Sequence, residues 1–284
     1  MIKALIVLIW SGIALPAWSA AQIIETATQA SISQTQLITH LKQQDYILLG
    51  EVHDEPSHHL RRADLIKALA ELQPVVVAEQ LEANQLVTYT DNLLDDVSRA
   101  GFDAKVWDWA LYSPLLMVLE AQKVSLIGGN LPISVVRDIS KSGATAVPQT
   151  LRDMISQAGL NATGESQLVA DLEAGHCGHL PKQYLPNFIL AQRARDASML
   201  NAMQNSDHKP VILLAGNGHV RKDYGIPTLI QSTAKQVVTI GFLQVDTLTP
   251  EQLQDYQQQF DYLWLTGAVT RDDPCVAFKL PHGN

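Results

Sequence analysis

Residues Leu48–His59, LLGEVHDEPSHH, form an apolar run that stops at a glycine and then delivers three carboxylates and three imidazoles. The run itself, Tyr46–Leu49, shows no polar alternation, which is how a strand reads when both its faces are covered. Five more runs of this kind follow, at Val75–Ala78, Val124–Ile127, Val211–Ala215, Val237–Gly241 and Tyr262–Leu265. Helical patterns lie between them: Leu60, Ala63, Ile66, Leu69 and Leu72 recur at three-residue steps and mark one apolar helix face. Strands alternating with helices predict an α/β fold, a mainly parallel sheet flanked by helices. Two intervals are too long for simple crossovers. Residues 80–122, with Trp107, Trp109 and Tyr112, and residues 131–209 read as helical insertions that pack together beside the sheet as a lobe.

The 284 residues suffice for one large domain with insertions, and 46% hydrophobic against 17% charged residues is an ordinary globular balance. A formal net charge of -9 leaves no broad basic surface, which excludes a nucleic-acid partner. Met1-Ile2-Lys3 followed by the apolar run Ala4–Leu15 and small residues at Ala17, Ser19, Ala20 and Ala21 reads as a signal peptide over residues 1–21. That run is short for a transmembrane helix. The mature chain, residues 22–284, is then a single domain in the periplasm or outside the cell. No cysteine stands near the cleavage site to carry a lipid. In such a compartment Cys177 and Cys275 form a disulfide; the alternative is a thiolate at Cys177, flanked by His176 and His179.

In open α/β sheets, ligands collect at the carboxyl ends of strands. Three runs here end in ligating residues: Gly50-Glu51-Val52-His53, Glu79-Gln80, and Gly216-Asn217-Gly218-His219. Both histidines follow a glycine at the spacing G-x-x-H. Imidazoles with carboxylates suit a divalent metal, held by Glu51, His53 and His219, or a general acid–base set near neutral pH. The plainer alternative makes Glu51 a helix cap and His53 a loop hydrogen-bonder. There is no H-E-x-x-H, no phosphate-cradling loop and no nucleophile elbow, since Asn217 stands where its serine belongs. Arg221 occupies the place of the third glycine in a dinucleotide loop. A second cluster, Gly175-His176-Cys177-Gly178-His179-Leu180-Pro181 with Tyr184, lacks the C-x-x-C-H of a c-type haem attachment. On the helix after it, Asn187 to about Gln204, Gln192, Arg195, Asp196 and Met199 share a stripe that is either solvated or a buried brace for the rim.

Taken in order, LLGEVHDEPSHH, VVVAEQ, WDWALYSPLL, GGNLP, GHCGHLP, AQRARDA and AGNGHVRKDYGIP, with Asp273-Pro274-Cys275 near the end, make a specific set. The chain resembles the ChaN-like haem-binding uptake family of the wider Tiki, TraB and erythromycin-esterase-like group. That resemblance implies an α/β core with a helical lobe, haem bound between them, and an iron-acquisition context. It further implies homodimers sandwiching haem, and haem receptor or transporter components as partners. Many relatives are lipoproteins, and this sequence departs from them. In metal-dependent members of the wider group the matching catalytic positions are Glu51, His53, Glu79 and His219, with Arg195 as electrostatic partner.

Haem needs an apolar slot, an axial Tyr, His or Met, and donors for its propionates. Trp107, Trp109, Tyr112, Leu115, Leu116 and Met117 offer the slot, unless they simply form the core of the lobe. Tyr184, His176 and His179 are the axial candidates, with Tyr112 a further one. The leading expectation is a haem-binding protein. The alternative is a metal-dependent hydrolase built on the two G-x-x-H motifs. A partner-binding domain with neither activity is the third class.

Overall fold

The computed structural model describes residues 22–206, 208–231, 235–271, 273, 275 and 276, and the expected signal peptide lies outside them. In chain order the elements are β1 (Gln22–Glu25), β2 (Ala30–Ile32), α1 (Gln34–Leu41), β3 (Tyr46–Leu49), α2 (Pro56–Leu69) and β4 (Val75–Glu82). Then come α3 (Leu93–Arg99), α4 (Trp109–Ala121), β5 (Ser125–Asn130), α5 (Ile133–Ser142), α6 (Gln149–Gln157), α7 (Ala162–Gly175) and α8 (Leu185–Gln204). The chain ends with β6 (Val211–Leu214), α9 (Asn217–Val220), β7 (Val237–Leu243), α10 (Pro250–Gln257) and β8 (Tyr262–Leu265).

The strands form one sheet in the order β2-β1-β8-β7-β3-β6-β4-β5. From β8 to β5 all neighbours are parallel, and these are the strands that the apolar runs announce. The edge pair β1 and β2 is antiparallel to β8 and to itself. Neither strand carries an apolar run: QIIE and ASI are four and three residues long, and β2 is largely exposed. Their pairing is a tertiary effect that local pattern cannot show.

Alternate strand residues feed two cores. Ile47, Leu49, Val76, Ala78, Ile212 and Leu214 pack against α1 to α4 on one face. Tyr46, Leu48, Val77, Val211 and Leu213 pack against α5, α6 and α8 on the other. Both faces are dry, which is why the runs lack alternation. The long intervals therefore do not pack together. Residues 80–122 give α3 and α4 to the first face, whereas residues 131–209 give α5, α6 and α8 to the second, with α7 packed on α8. Among the described residues no helix is long and apolar enough to cross a membrane.

The face of α2 also differs from the three-step reading. Leu60 is 51% exposed, because each three-residue step turns a helix by 300° and four such steps drift off any one face. The buried positions are His58, His59, Arg62, Ala63, Leu65, Ile66 and Leu69, which follow the 3.6-residue period. Three of them are polar, and they aim at the turn after β3.

Helix α8 lies against β5 at an unusually close distance. A Cβ on Gly129 would stand 2.6 Å from Val77 Cγ1 and 3.1 Å from Met199 Cγ, so only glycine admits the helix there. Ser198 Oγ donates to the Gly129 carbonyl at 2.8 Å. Arg193, 4% exposed, ties α8 to the carbonyls of Ala158 and Tyr224. These contacts set the height at which Arg195 and Asp196 meet the sheet rim.

Candidate functional site

The carboxyl ends of β3, β6 and β4 lie side by side. The regular ladders end at Leu49, Leu214 and Ala78. Past Ala78, β4 continues through a register shift to Glu82, so Glu79 and Gln80 stand in an irregular stretch of the strand rather than after it. They diverge into two separate networks.

The first network is built on Glu51, 2% exposed. Its Oε1 accepts from the Tyr112 hydroxyl at 2.6 Å, from His53 Nδ1 at 2.6 Å and from Gln80 Nε2 at 3.1 Å. Its Oε2 pairs with the guanidinium of the fully buried Arg62. Arg62 Nη2 donates to His59 Nδ1 at 2.8 Å, and His59 Nε2 donates to the His53 carbonyl at 2.9 Å. The carboxylate that caps α2 is Glu55, which accepts from Ser57 N, with Pro56 in the first turn. Glu51 is thus a buried acid held by a buried base.

The second network is built on Glu79, also 2% exposed. Arg195 Nη2 donates to its Oε1 at 2.6 Å, and His219 Nε2 stands 3.2 Å from the same oxygen. The Gly216 N–H donates to Oε2 at 2.7 Å. On the far side of the ring, His219 Nδ1 lies 2.5 Å from Asp196 Oδ1. Asn130 braces both partners, donating to the Glu79 carbonyl at 3.0 Å and accepting from Arg195 Nε at 3.1 Å. The stripe Gln192, Arg195, Asp196, Met199 therefore braces the rim, Asp196 and Met199 buried and Gln192 and Arg195 partly so, with the Gln192 amide nitrogen 3.2 Å from His219 Nδ1.

His53 joins the two. Its Nδ1 is committed to Glu51, while a Cβ on Gly216 would stand 2.8 Å from His53 Nε2 and 3.7 Å from Glu79 Oε2. Glycine at 216 lets the imidazole edge and the second carboxylate approach one turn of backbone. The His53 side chain is 45% exposed and is covered on one edge by Trp107, with ring centroids 5.0 Å apart. It is the group through which solvent meets both buried acids.

The electrostatics separate the two imidazoles. Burial opposes protonation of His219, but Glu79 and Asp196 outweigh it and raise its pKa to about 9. Burial likewise opposes ionisation of Glu79, and the His219 and Arg195 cations hold its carboxyl well below the usual range. Asp196 is pushed up by burial and only partly drawn back by His219. Burial holds His53 below its ordinary value against the pull of Glu79. At neutral pH the rim contains an imidazolium, a neutral imidazole and ionised Glu79.

The second cluster lies where α7 meets α8, on the helices α5 to α8 that form the helical lobe. Tyr184 is 43% exposed at the amino end of α8. It precedes Gln192 by about 12 Å of helix rise, at 1.5 Å per residue. His176 closes α7, its Nδ1–H donating to the Leu172 carbonyl at 2.7 Å and its ring set edge-on to Phe188. Cys177 is bonded to Cys275, which removes the thiolate alternative. Tyr112, by contrast, is 3% exposed in the core of the first face and its hydroxyl is spent on Glu51. Leu115 and Leu116 are core residues, whereas Met117 is 59% exposed.

Residues 37–230, more than half of the chain and spanning both clusters, match the family described as haem-binding uptake, Tiki superfamily, ChaN. The chain belongs to this ChaN family. Among solved structures, it is similar to one described as cofacial haem binding to ChaN of Campylobacter jejuni, with 24% identity and a TM-score of 0.68. The match covers 86% of this chain and 96% of that one. A fainter likeness, 14% identity and TM-score 0.41, is to an erythromycin esterase variant in its open conformation, covering 78% of this chain and 76% of that one. No curated protein matches at a significant level.

The donor set of this ChaN-family chain fits haem on the lobe. With Nδ1–H fixed to a backbone carbonyl, His176 keeps the Nε2 lone pair for a metal, the usual arrangement behind a ligating histidine. The rim does not fit a divalent cation held by Glu51, His53 and His219. Glu51 already faces the Arg62 cation, and both nitrogens of His219 face carboxylates. Among the described residues no three His, Cys, Asp or Glu side chains group as metal ligands. The sequence pattern assigns no role to Arg62 or Asn130, and it names His59 and Gln80 without their partners. The one available signal was His-His-Leu-Arg-Arg on a helix entering directly behind Glu51.

Proposed function

We propose that this protein binds haem on its helical lobe, in the periplasm or outside the cell, as a component of haem and iron acquisition. The observation that supports the reading is His176: its Nδ1–H is fixed on the Leu172 carbonyl, which leaves Nε2 as a lone-pair donor, and it lies in the stretch matched by the haem-uptake family. Tyr184 supplies an exposed phenol nearby in sequence, the second donor type that haem iron takes. His179 shares the loop. Residues 1–21 act as the signal peptide of a single domain. The cofacial haem named for the Campylobacter jejuni relative suggests a homodimer that stacks two haems between lobes, with receptor or transporter components as exchange partners. Hemin titration of the purified chain tests the reading. A saturable Soret change is expected, weakened by His176→Ala or Tyr184→Ala; a signal that never saturates discards it.

A second reading concerns the rim. Two imidazoles whose environments push their pKa values apart are the mark of an acid–base pair. In this reading His53 is the base and protonated His219 the acid, and the bonds from Glu51, Glu79 and Arg195 that would orient them support it. This describes a hydrolytic centre that works without the divalent ion. Turnover of simple esters, lost in His53→Ala and in Glu79→Gln, supports it. An inert wild-type protein across esters and peptides removes it.

A further inference from the structure

The Cys177–Cys275 bond belongs to neither apolar core. A domain of this size that buries two such cores needs no covalent staple to fold. What the bond joins is local. Cys177, at φ 55°, and Gly178, at φ 71°, make a left-handed turn directly between His176 and His179. L side chains adopt that conformation at a cost, and the turn's own bonds, Cys177 N–H to the Ala174 carbonyl at 3.0 Å and Gly178 N–H to the Glu173 carbonyl at 2.9 Å, reach back only to α7; the disulfide ties it to the distant chain. Cys275 ends a segment whose near end is fixed to the first loop of the rim. His58 Nε2 donates to Thr266 Oγ1 at 3.0 Å, its Nδ1 accepting from Val52 N, and Arg271 pairs with Asp54 and Glu55. Asp54 follows His53. One covalent and ionic tether therefore runs from the histidine turn of the lobe to the turn that carries His53. Both cysteines are partly exposed and their neighbours Gly178 and Val276 are exposed, so a small reductant reaches the bond, as it does in labile disulfides.

We propose that this disulfide is a redox latch on the His176–Tyr184 loop, a step that rests on the haem reading. Oxidised, it holds the loop in its haem-binding arrangement. A dithiol reductant passes two electrons and two protons to the bond, leaving thiols at Cys177 and Cys275 while the reductant closes to its own disulfide. The freed turn must then be ordered each time haem binds, and affinity falls.

Hemin titrations of three forms of the whole mature chain test the latch: oxidised wild type, wild type reduced by a phosphine that is then removed under anaerobic conditions, and Cys177→Ser with Cys275→Ser. Far-UV circular dichroism and a thermal melt accompany each. The expected result is that all three remain folded, that the oxidised form saturates, and that the other two bind about tenfold more weakly, the scale of losing a pre-ordered loop. Reoxidation of the reduced form with diamide restores affinity. Equal affinity in all three forms overturns the latch and leaves haem binding standing. Unfolding of both the reduced and the double-serine forms also overturns it, since the bond is then a staple of the fold. If oxidised wild type does not saturate, the haem reading fails and the latch with it.

Discussion

Oδ1 of Asp196 lies 2.5 Å from Nδ1 of His219, both side chains being almost fully buried. The ring is thus held between two acids, Asp196 on one nitrogen and Glu79 on the other. That is why protonation wins over burial. Asp196→Asn keeps the shape of the side chain and removes one of the charges. The His219 imidazole should then titrate below its present value of about 9, seen in the pH dependence of its Cε1–H resonance. A midpoint that stays put means Glu79 alone holds the proton.

The same pair makes stability depend on pH in a definite direction. His219 has a folded-state pKa raised to about 9, above the ordinary 6.5 of an unfolded chain. Its contribution is therefore fully present below about pH 6.5 and is lost as pH rises through 9. Melting temperature should decline across that window, and His219→Gln should flatten the decline. A wild-type melt that is level from pH 6.5 to 9 refutes the assignment.

Arg62 and Glu51 show what a buried ion pair demands. Removing one partner strands the other, at about 3–5 kcal/mol, whereas replacing both with neutral groups is far milder. Arg62→Met leaves Glu51 with hydrogen bonds from Tyr112, His53 and Gln80 and no cation. Urea unfolding should show a loss of that size for Arg62→Met, and a clearly smaller one when Glu51→Gln is added. If the double variant is as unstable as the single, Arg62 serves packing and not charge.

The fold was legible because covering both faces of a parallel strand leaves an uninterrupted apolar run, and the strands from β3 to β8 all carry one. The rim was legible in outline for the same reason: Glu51, Glu79 and His219 each follow such a run closely. The partition of the rim was not. Whether Glu79 and Gln80 share a side depends on the irregular end of β4, and the cation for Glu51 comes from α2 through a packing face that three-residue counting misplaces. Asn217 illustrates the limit. It sits in a glycine turn that invites a ligand, yet its amide is spent on the Phe242 backbone, donating to O at 2.7 Å and accepting from N at 3.1 Å. Only the assembled sheet reveals that it clamps the turn after β6 to β7, across the end of the intervening β3.

Gly216 offers a way to test what seats His53 between the two acids. Its backbone, φ -60° and ψ 151°, is one that any residue adopts, so alanine there introduces no backbone strain. The added Cβ meets His53 Nε2 at 2.8 Å, and His53 is the exposed, movable partner. Gly216 is buried, and the shift of His53 costs Glu51 one charge-assisted bond, so Gly216→Ala should lower stability by about 1.5–3 kcal/mol. It should turn the His53 ring away and break the 2.6 Å bond from Nδ1 to Glu51. Long-range proton–nitrogen spectra of the imidazole report this as loss of the fixed Nδ1–H tautomer, and any ester turnover at the rim should fall with it. If the His53 tautomer is unchanged in the variant, glycine at 216 is not what seats the imidazole between the two acids.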